Sequence, residues 1–335
     1  SLDANTTADH NTALGAYTLT SNTTAASNTA VGSSALEANT TGDNNTAVGR
    51  AAMLSNTTGT DNTAVGRGSL DANTTGDYNT AIGRYSLSTN TTGEKNVAVG
   101  GNALLSNSVG DDNVAVGWNA LDANTTADGN TAVGYHSLIF NTTGHSNVAV
   151  GAVSLDANTT GQDLVAVGYN ALGSNTTAND NVAVGTSALG LNTTGNNNTG
   201  IGRLALYNNT TASENVAIGA RAMDACTTGF ENTAVGTDAL GALTTAERCV
   251  AVGRQAGLSI TTGSRNHAFG YEALEACTTG ENNTAVGFHA LLKVTNGTQN
   301  TAVGKDAGDE LTTGDSCTFI GHNAGKTSTT GNNNI

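Results

Sequence analysis

The side chains best equipped for chemistry in this 335-residue chain are six His, four Cys and a thin scatter of Asp and Glu. Their placement argues against a reactive centre. His10, His136, His145, His267, His289 and His322 fall at scattered positions and do not form a ligand set. Asp111-Asp112 and similar pairs lack the Gly-and-Asp spacing of calcium-binding loops. Gly321-His322-Asn323-Ala324-Gly325-Lys326-Thr327 imitates a phosphate-binding loop, but it is one residue short between its glycines and has no strand-loop-helix context. Asn-Thr-Thr at Asn22, Asn39, Asn56 and many other places matches the glycosylation acceptor pattern. The same tripeptide also reads as a turn motif that recurs for structural reasons. No Ser/His/Asp or Cys/His constellation stands out, so the expectation is no catalytic residue, no cofactor site and no metal ligand.

These residues are substitutions within a repeat that runs through the whole chain. The pentad Asn11-Thr12-Ala13-Leu14-Gly15 returns at Asn28, Asn45, Asn62 and onward at a strict 17-residue spacing, with Leu164, Cys249 and Cys317 in the Asn slot of three units. Numbering the unit from this Asn gives N-T-A-V-G-x-x-A-L-x-x-N-T-T-G-x-x, columns 1 to 17. Fixed periods of this kind mark stacked coils. The β-branched segment between Asn and Gly favours strand, whereas Gly at columns 5 and 15 with Thr-Thr between them makes a poor helix. The fold class expected is all-β: a parallel β-solenoid or β-roll, one coil per 17 residues, with two short strands and two turns in each coil. Residues 1–335 then form a single continuous solenoid of about 20 coils, on the order of 95 Å at the usual strand spacing. Because Ser1 and Ile335 fall in mid-repeat, a segment of a longer fibre is expected.

Each column predicts an environment. Column 5 is Gly in every full unit (Gly15, Gly32, Gly49, Gly66 and on to Gly321), which predicts a corner needing positive φ or close backbone approach. Column 12 is Asn from Asn5 to Asn209 and then Cys226, Leu243, Ile260, Cys277, Val294, Leu311 and Ser328. A surface column would not drift to Leu and Ile. Asn5, Asn22, Asn39, Asn56 and Asn73 are therefore expected to form an inward ladder over residues 1–214, replaced by apolar side chains over 215–335. Asn28, Asn45 and Asn62 of column 1 join the same structural set. Columns 13 and 14, nearly all Thr, are expected outward and inward respectively, and columns 6, 7, 10, 16 and 17 in solvent. Same-column cysteines lie three or four coils apart, too far for disulfides. Column 3 is nearly all Ala and column 4 always apolar. Adjacent strand residues face opposite ways, so one of the two faces is left for another chain.

Composition restricts function further. With 43 Gly, no Pro, 12% charged and 4% aromatic residues, the chain can bury only small side chains in a thin core. A net charge of −15, never in blocks, disfavours nucleic acid. No stretch is long enough for membrane insertion. An enzyme of the pectate-lyase type would need an off-repeat cluster of acids and bases, which the sequence lacks.

The pentads Asn96-Val97-Ala98-Val99-Gly100 and Asn215-Val216-Ala217-Ile218-Gly219, each followed by x-x-Ala, resemble the head repeats of trimeric autotransporter adhesins and similar repeats of bacteriophage tail fibres. The N-T-T-G arm makes this unit longer than that family's usual repeat. The resemblance implies a left-handed β-roll, three chains about one axis, and an adhesin or fibre-shaft role at a cell surface or on a virion. The expected partners are copies of itself, as a homotrimer or a head-to-tail filament, and a host receptor or surface of unspecified kind. The rival function is an ice- or surface-binding solenoid that uses regular Thr columns.

Overall fold

The computed structural model describes residues 2–335. The chain divides into two units, Ser1–Leu164 and Val165–Ile335. The first holds strands β1 (Thr12–Leu14) to β9 (Val148–Val150), and the second β10 (Val165–Val167) to β19 (Thr318–Ile320). Each strand is columns 2 to 4 of its repeat, and within each unit neighbouring strands pair in parallel, without slip, column to column: Thr46↔Thr63, Ala47↔Ala64 and Val48↔Val65 in the first unit, Val216↔Thr233, Ala217↔Ala234 and Ile218↔Val235 in the second. Among the described residues there is no helix. The fold is an all-β parallel β-solenoid with one coil per 17 residues.

Each coil carries one three-residue strand, not the two expected from sequence. The reason lies in the backbone. Besides Gly at column 5, non-glycine residues at columns 7, 9 and 17 adopt left-handed φ in coil after coil, for example Ser34 (φ 59), Leu36 (φ 50) and Asn44 (φ 60). A chain that reverses sense this often cannot extend. Its peptide groups are satisfied along the stack instead. Ser34 N–H donates back to Ala16 C=O at 2.8 Å, and Leu36 N–H donates forward to Ala52 C=O at 3.1 Å. Many turn peptides are thus bonded to the neighbouring coil, as those of a ladder are, which a buried backbone requires.

The left-handed leucines are explained by magnitude. Such a residue costs about 1–2 kcal/mol in backbone energy. The flip, however, turns column 9 inward beside inward column 8, so that Ala35 and Leu36, adjacent in sequence, are both fully buried. Full burial of a leucine is worth roughly 1.5–3 kcal/mol, and burial wins. Where column 9 is Gly, a neighbour fills its place. A Cβ on Gly257 would stand 2.9 Å from Ile260 Cδ1, and one on Gly308 would stand 2.8 Å from Phe319 Cδ2. Phe319 replaces the small column 3 residue, and its ring also lies against Gly325. One large ring thus occupies the space vacated by two leucines.

Column 3 points inward: Ala30, Ala47, Ala98 and Ala217 are fully buried. Columns 2 and 4 therefore share the outer face of the strand. Column 6 and column 17 are exposed at Arg50 and Lys95, while columns 7, 10 and 16 are mostly half-buried rather than in solvent. Column 14 corrects the sequence expectation. Thr41, Thr58 and Thr75 are exposed, not inward, because columns 12 to 14 form a bend instead of a strand and alternation does not apply.

At column 5 both expected demands are present together. Gly168 has φ +136, and a Cβ there would lie 2.6 Å from the Gly185 carbonyl oxygen. Gly168→Ala is expected to lower stability by about 2 kcal/mol or more. At column 7 the sign reverses: Ala51 (φ 57) sits where Gly68 sits one coil later (φ 62), so Ala51→Gly should stabilise by up to about 1 kcal/mol. Guanidinium denaturation followed by circular dichroism checks both.

Candidate functional site

Two sets of Asn side chains form the interior polar spine of each unit. In column 12, Asn39 Nδ2 donates to Asn22 Oδ1 (3.1 Å), Asn56 Nδ2 to Asn39 Oδ1 (2.9 Å) and Asn73 Nδ2 to Asn56 Oδ1 (2.8 Å). The second N–H of each amide goes to the column 15 carbonyl of its own coil, as Asn39 Nδ2 does to Gly42 O at 3.0 Å. Asn5 makes the same local bond, to Ala8 O at 3.1 Å, but is only half-buried. Asn22, Asn39, Asn56 and Asn73 are completely buried, so their amides are closed to a glycosylating enzyme in the folded chain.

Column 1 works differently. The Oδ1 of Asn28 accepts the backbone N–H of Asn45 (2.9 Å), and that of Asn45 accepts the backbone N–H of Asn62 (3.0 Å). Their Nδ2 groups reach the column 15 carbonyls: Asn28 to Gly42, Asn45 to Gly59 and Asn62 to Gly76. Each Gly42-type carbonyl therefore receives two amides, one from each Asn column. Gly15, Gly32, Gly49 and Gly66 take no part in this bonding; they make the corner beside it. Cys249 in column 1 still gives its N–H to Asn232 Oδ1 (2.9 Å), and the next amide, Asn266, bonds both Gly263 and Gly280 carbonyls.

The spine ends visibly. Asn209 is the last Asn of column 12, and its Oδ1 is buried without a partner, because the next coil offers Cys226 in place of an amide.

The reactive groups are disposed as repeat substitutions. All four cysteines are buried and unpaired. Burial pushes the thiols of Cys226 and Cys249 up to about 11 and that of Cys277 up to about 12, far from the thiolate a nucleophile needs. Burial likewise lifts the column 10 carboxyls of Asp122, Asp156 and Asp224 above the ordinary value. His289 Nε2 lies 2.9 Å from Glu272 Oε2, and Nδ1 lies 3.8 Å from Asp306 Oδ1. That line continues along column 7 to Gln255 and Asn323, with no Ser, Thr or Cys between them in the column. Among the described residues no group of three or more His, Cys, Asp or Glu side chains is arranged to hold a metal ion. Asp112, Asp128 and His145 border an open depression of about 310 Å³.

No protein-family model and no characterised protein matches this chain.

What remains is outward. Column 4 presents Val65 (37% exposed), Ile82 (41%), Ile218 (39%) and Phe269 (40%) beside fully buried column 3. The sequence left open which of these columns faces out. Column 6 was legible only as variable, yet it contains no Asp or Glu anywhere in the chain.

Breaking the spine in its middle should cost more than shortening it. Asn90→Ala orphans Asn73 Oδ1 and removes the acceptor of Asn107 Nδ2, a loss of about 2 kcal/mol. Asn209→Cys only moves the existing orphan to Asn192 and should stay within about 0.5 kcal/mol. Denaturant midpoints of the two variants, compared with the parent, test the contrast.

Proposed function

We propose that this chain is a structural, non-catalytic protein: a self-associating solenoid that forms the shaft or head of an extracellular fibre, at a cell surface or on a virion. The observation that carries this reading is column 4. An apolar side chain stands on the outer face of the strand in each coil of both units, from Val31 and Val48 to Val286 and Val303. Soluble monomers rarely keep such a continuous apolar band open to water. A band of identical period on a second copy matches it coil for coil, which scattered apolar residues would not. The buried polar spine adds length and stiffness without requiring a wide core. The resemblance of the pentads to adhesin-head and tail-fibre repeats supports three chains and a left-handed roll.

The test is a mass. The chain weighs 33.3 kDa, and light scattering is expected to return about three times that value. Val65→Asp with Ile82→Asp should yield monomer with an unchanged circular dichroism spectrum, since both side chains already face out. A parent protein that stays monomeric at high salt, where repulsion between chains of net charge −15 is screened, would refute the reading.

One finding favours the second reading, a solenoid that binds ice or another ordered surface. Columns 13 and 14 are both outward Thr columns, where only one was expected. Column 13 hydroxyls are occupied along the stack, as Thr57 Oγ1 is with Thr74 O at 2.9 Å. Column 14 is the more exposed of the two, at Thr41, Thr58 and Thr92. On this reading the protein inhibits ice recrystallisation, and Thr58→Lys with Thr75→Lys abolishes the effect; absence of inhibition by the parent protein removes it.

A further inference from the structure

The first unit contains four Lys and Arg residues: Arg50, Arg67, Arg84 and Lys95. Three of the four stand in the same column on consecutive coils, at about 4.8 Å per coil. Among the described residues none has an acidic partner. The ion pairs of the second unit, Arg221–Asp238, Arg248–Glu231, Arg265–Glu281 and Lys293–Glu310, have no counterpart here. Nearby acids are engaged elsewhere: Asp77 Oδ1 accepts the Thr60 N–H at 2.6 Å, and Asp71 Oδ1 accepts the Ser88 hydroxyl at 2.7 Å. Three exposed like charges in a row repel one another. Among the described residues no carboxylate is paired with them to offset that repulsion.

The surroundings are built as well as charged. Tyr85 lies between two of the guanidiniums, with Arg84 4.9 Å and Arg67 5.5 Å from its ring centre. It can lie there because column 7 of the preceding coil is glycine: a Cβ on Gly68 would stand 2.6 Å from the ring. Trp118 repeats the device. A Cβ on Gly101 would stand 2.6 Å from the indole Cζ3, so the indole is laid back over the preceding coil while remaining 50% exposed. Tyr135 follows in the same column, 54% exposed and stacked on His136 at 3.8 Å. Beside these rings runs a line of amides, with Asn102 Nδ2 donating to Asn119 Oδ1 at 3.1 Å and Asn119 Nδ2 lying 3.4 Å from His136 Nε2.

We propose that this strip, from Arg50 to Tyr135, is a binding site for a linear acidic polysaccharide. Charges repeated once per coil suit a straight polymer with an acid group on its sugar residues. Rings laid flat along the surface suit the C–H faces of pyranoses, and amides suit their hydroxyls. Guanidinium prefers carboxylate and sulfate alike through its paired donors. Because the protein as a whole is strongly acidic, attraction is confined to this strip and falls with salt. The site lies in column 6 and its neighbours, so it does not rest on association through column 4.

The test uses the full chain in affinity electrophoresis, with gels containing polygalacturonate, dextran sulfate or neutral dextran, and with an oligothymidylate in solution. Retardation by polygalacturonate at low salt, and none by dextran, is the expected result. Arg50→Gln with Arg67→Gln and Arg84→Gln should weaken it at least tenfold, and the corresponding Lys variant should retain most of it. Trp118→Ala should weaken it several-fold while leaving its salt dependence intact. Dextran sulfate separates the two acid groups: retardation that also needs Trp118 adds sulfated polymers to the ligand class. The proposal is overturned if the parent is not retarded by polygalacturonate, if the Gln variant binds equally well, or if oligothymidylate binds as tightly. A parent that binds no polysaccharide, with a Gln variant of altered assembly mass by light scattering, would assign the arginines to a second copy instead.

Discussion

The structure depends on hydrogen bonding directed along the stack. Each coil contributes only three strand residues, and three strand pairs would not hold 17 residues in place. The remaining peptide groups point up or down toward the neighbouring coil as well, from the left-handed turns at columns 7 and 9 and from the bend at column 13, where Thr57 N–H meets Thr74 C=O at 3.0 Å. Such bonding demands strict register. An inserted residue would displace every donor in its coil from its acceptor, which explains why the 17-residue spacing is kept without exception while many side chains change. It also explains the glycine corner, where the Gly49 carbonyl lies 2.5 Å from the place a Gly32 Cβ would occupy. Two backbones approach there more closely than any side chain permits.

The polar spine follows from the same constraint. A coil this small has no room for a broad apolar core, and its column 15 carbonyls face inward. Those buried acceptors need donors. Asn supplies two donors and an acceptor on a short stem, so one side chain serves its own coil and binds it to the next. Near Asn209 the solution changes to an apolar one. Cys226 keeps a weak bond to Gly229 O at 3.4 Å, and Leu243, Ile260, Val294 and Leu311 fill the space with hydrocarbon. Two kinds of interior therefore serve one backbone, and the orphan Oδ1 at Asn209 is the local cost of joining them.

Much of this was legible because the chain repeats. Twenty or so versions of one coil behave like an alignment within a single sequence, and the drift of column 12 to Leu and Ile identified an interior position. The corner at column 5 was equally plain. The left-handed leucines were not, since nothing in Leu19 or Leu36 signals positive φ; only Gly257, Gly308 and Gly325 in that column hint at it. Column 14 was misread because alternation was carried into a bend. The choice between columns 3 and 4 depends on which face the corner turns inward, a matter of backbone direction that residue type does not encode when both columns are apolar. The cationic strip escaped notice for a different reason. Column 6 varies, and variability usually marks a solvated surface.

Interior and exterior obey different rules here, and the contrast bears on function. Inward columns 1, 3, 9 and 12 change within a narrow set, and the larger changes are compensated by a neighbour, as Phe319 fills the space at Gly308 and Gly325. Outward columns divide into uniform and variable ones. Column 4 is apolar in every coil, the period that the proposed association with a second copy of the solenoid requires. Column 6 is Arg in one stretch, aromatic in the next and small elsewhere (Arg67, Trp118, Ala152). A partner repeating with every coil would meet the same chemistry only over short runs, such as Arg50, Arg67 and Arg84. A scaffold held by its backbone is free to vary such a column coil by coil without disturbing the fold, and a local site for an extended ligand can therefore arise on a surface that is otherwise monotonous.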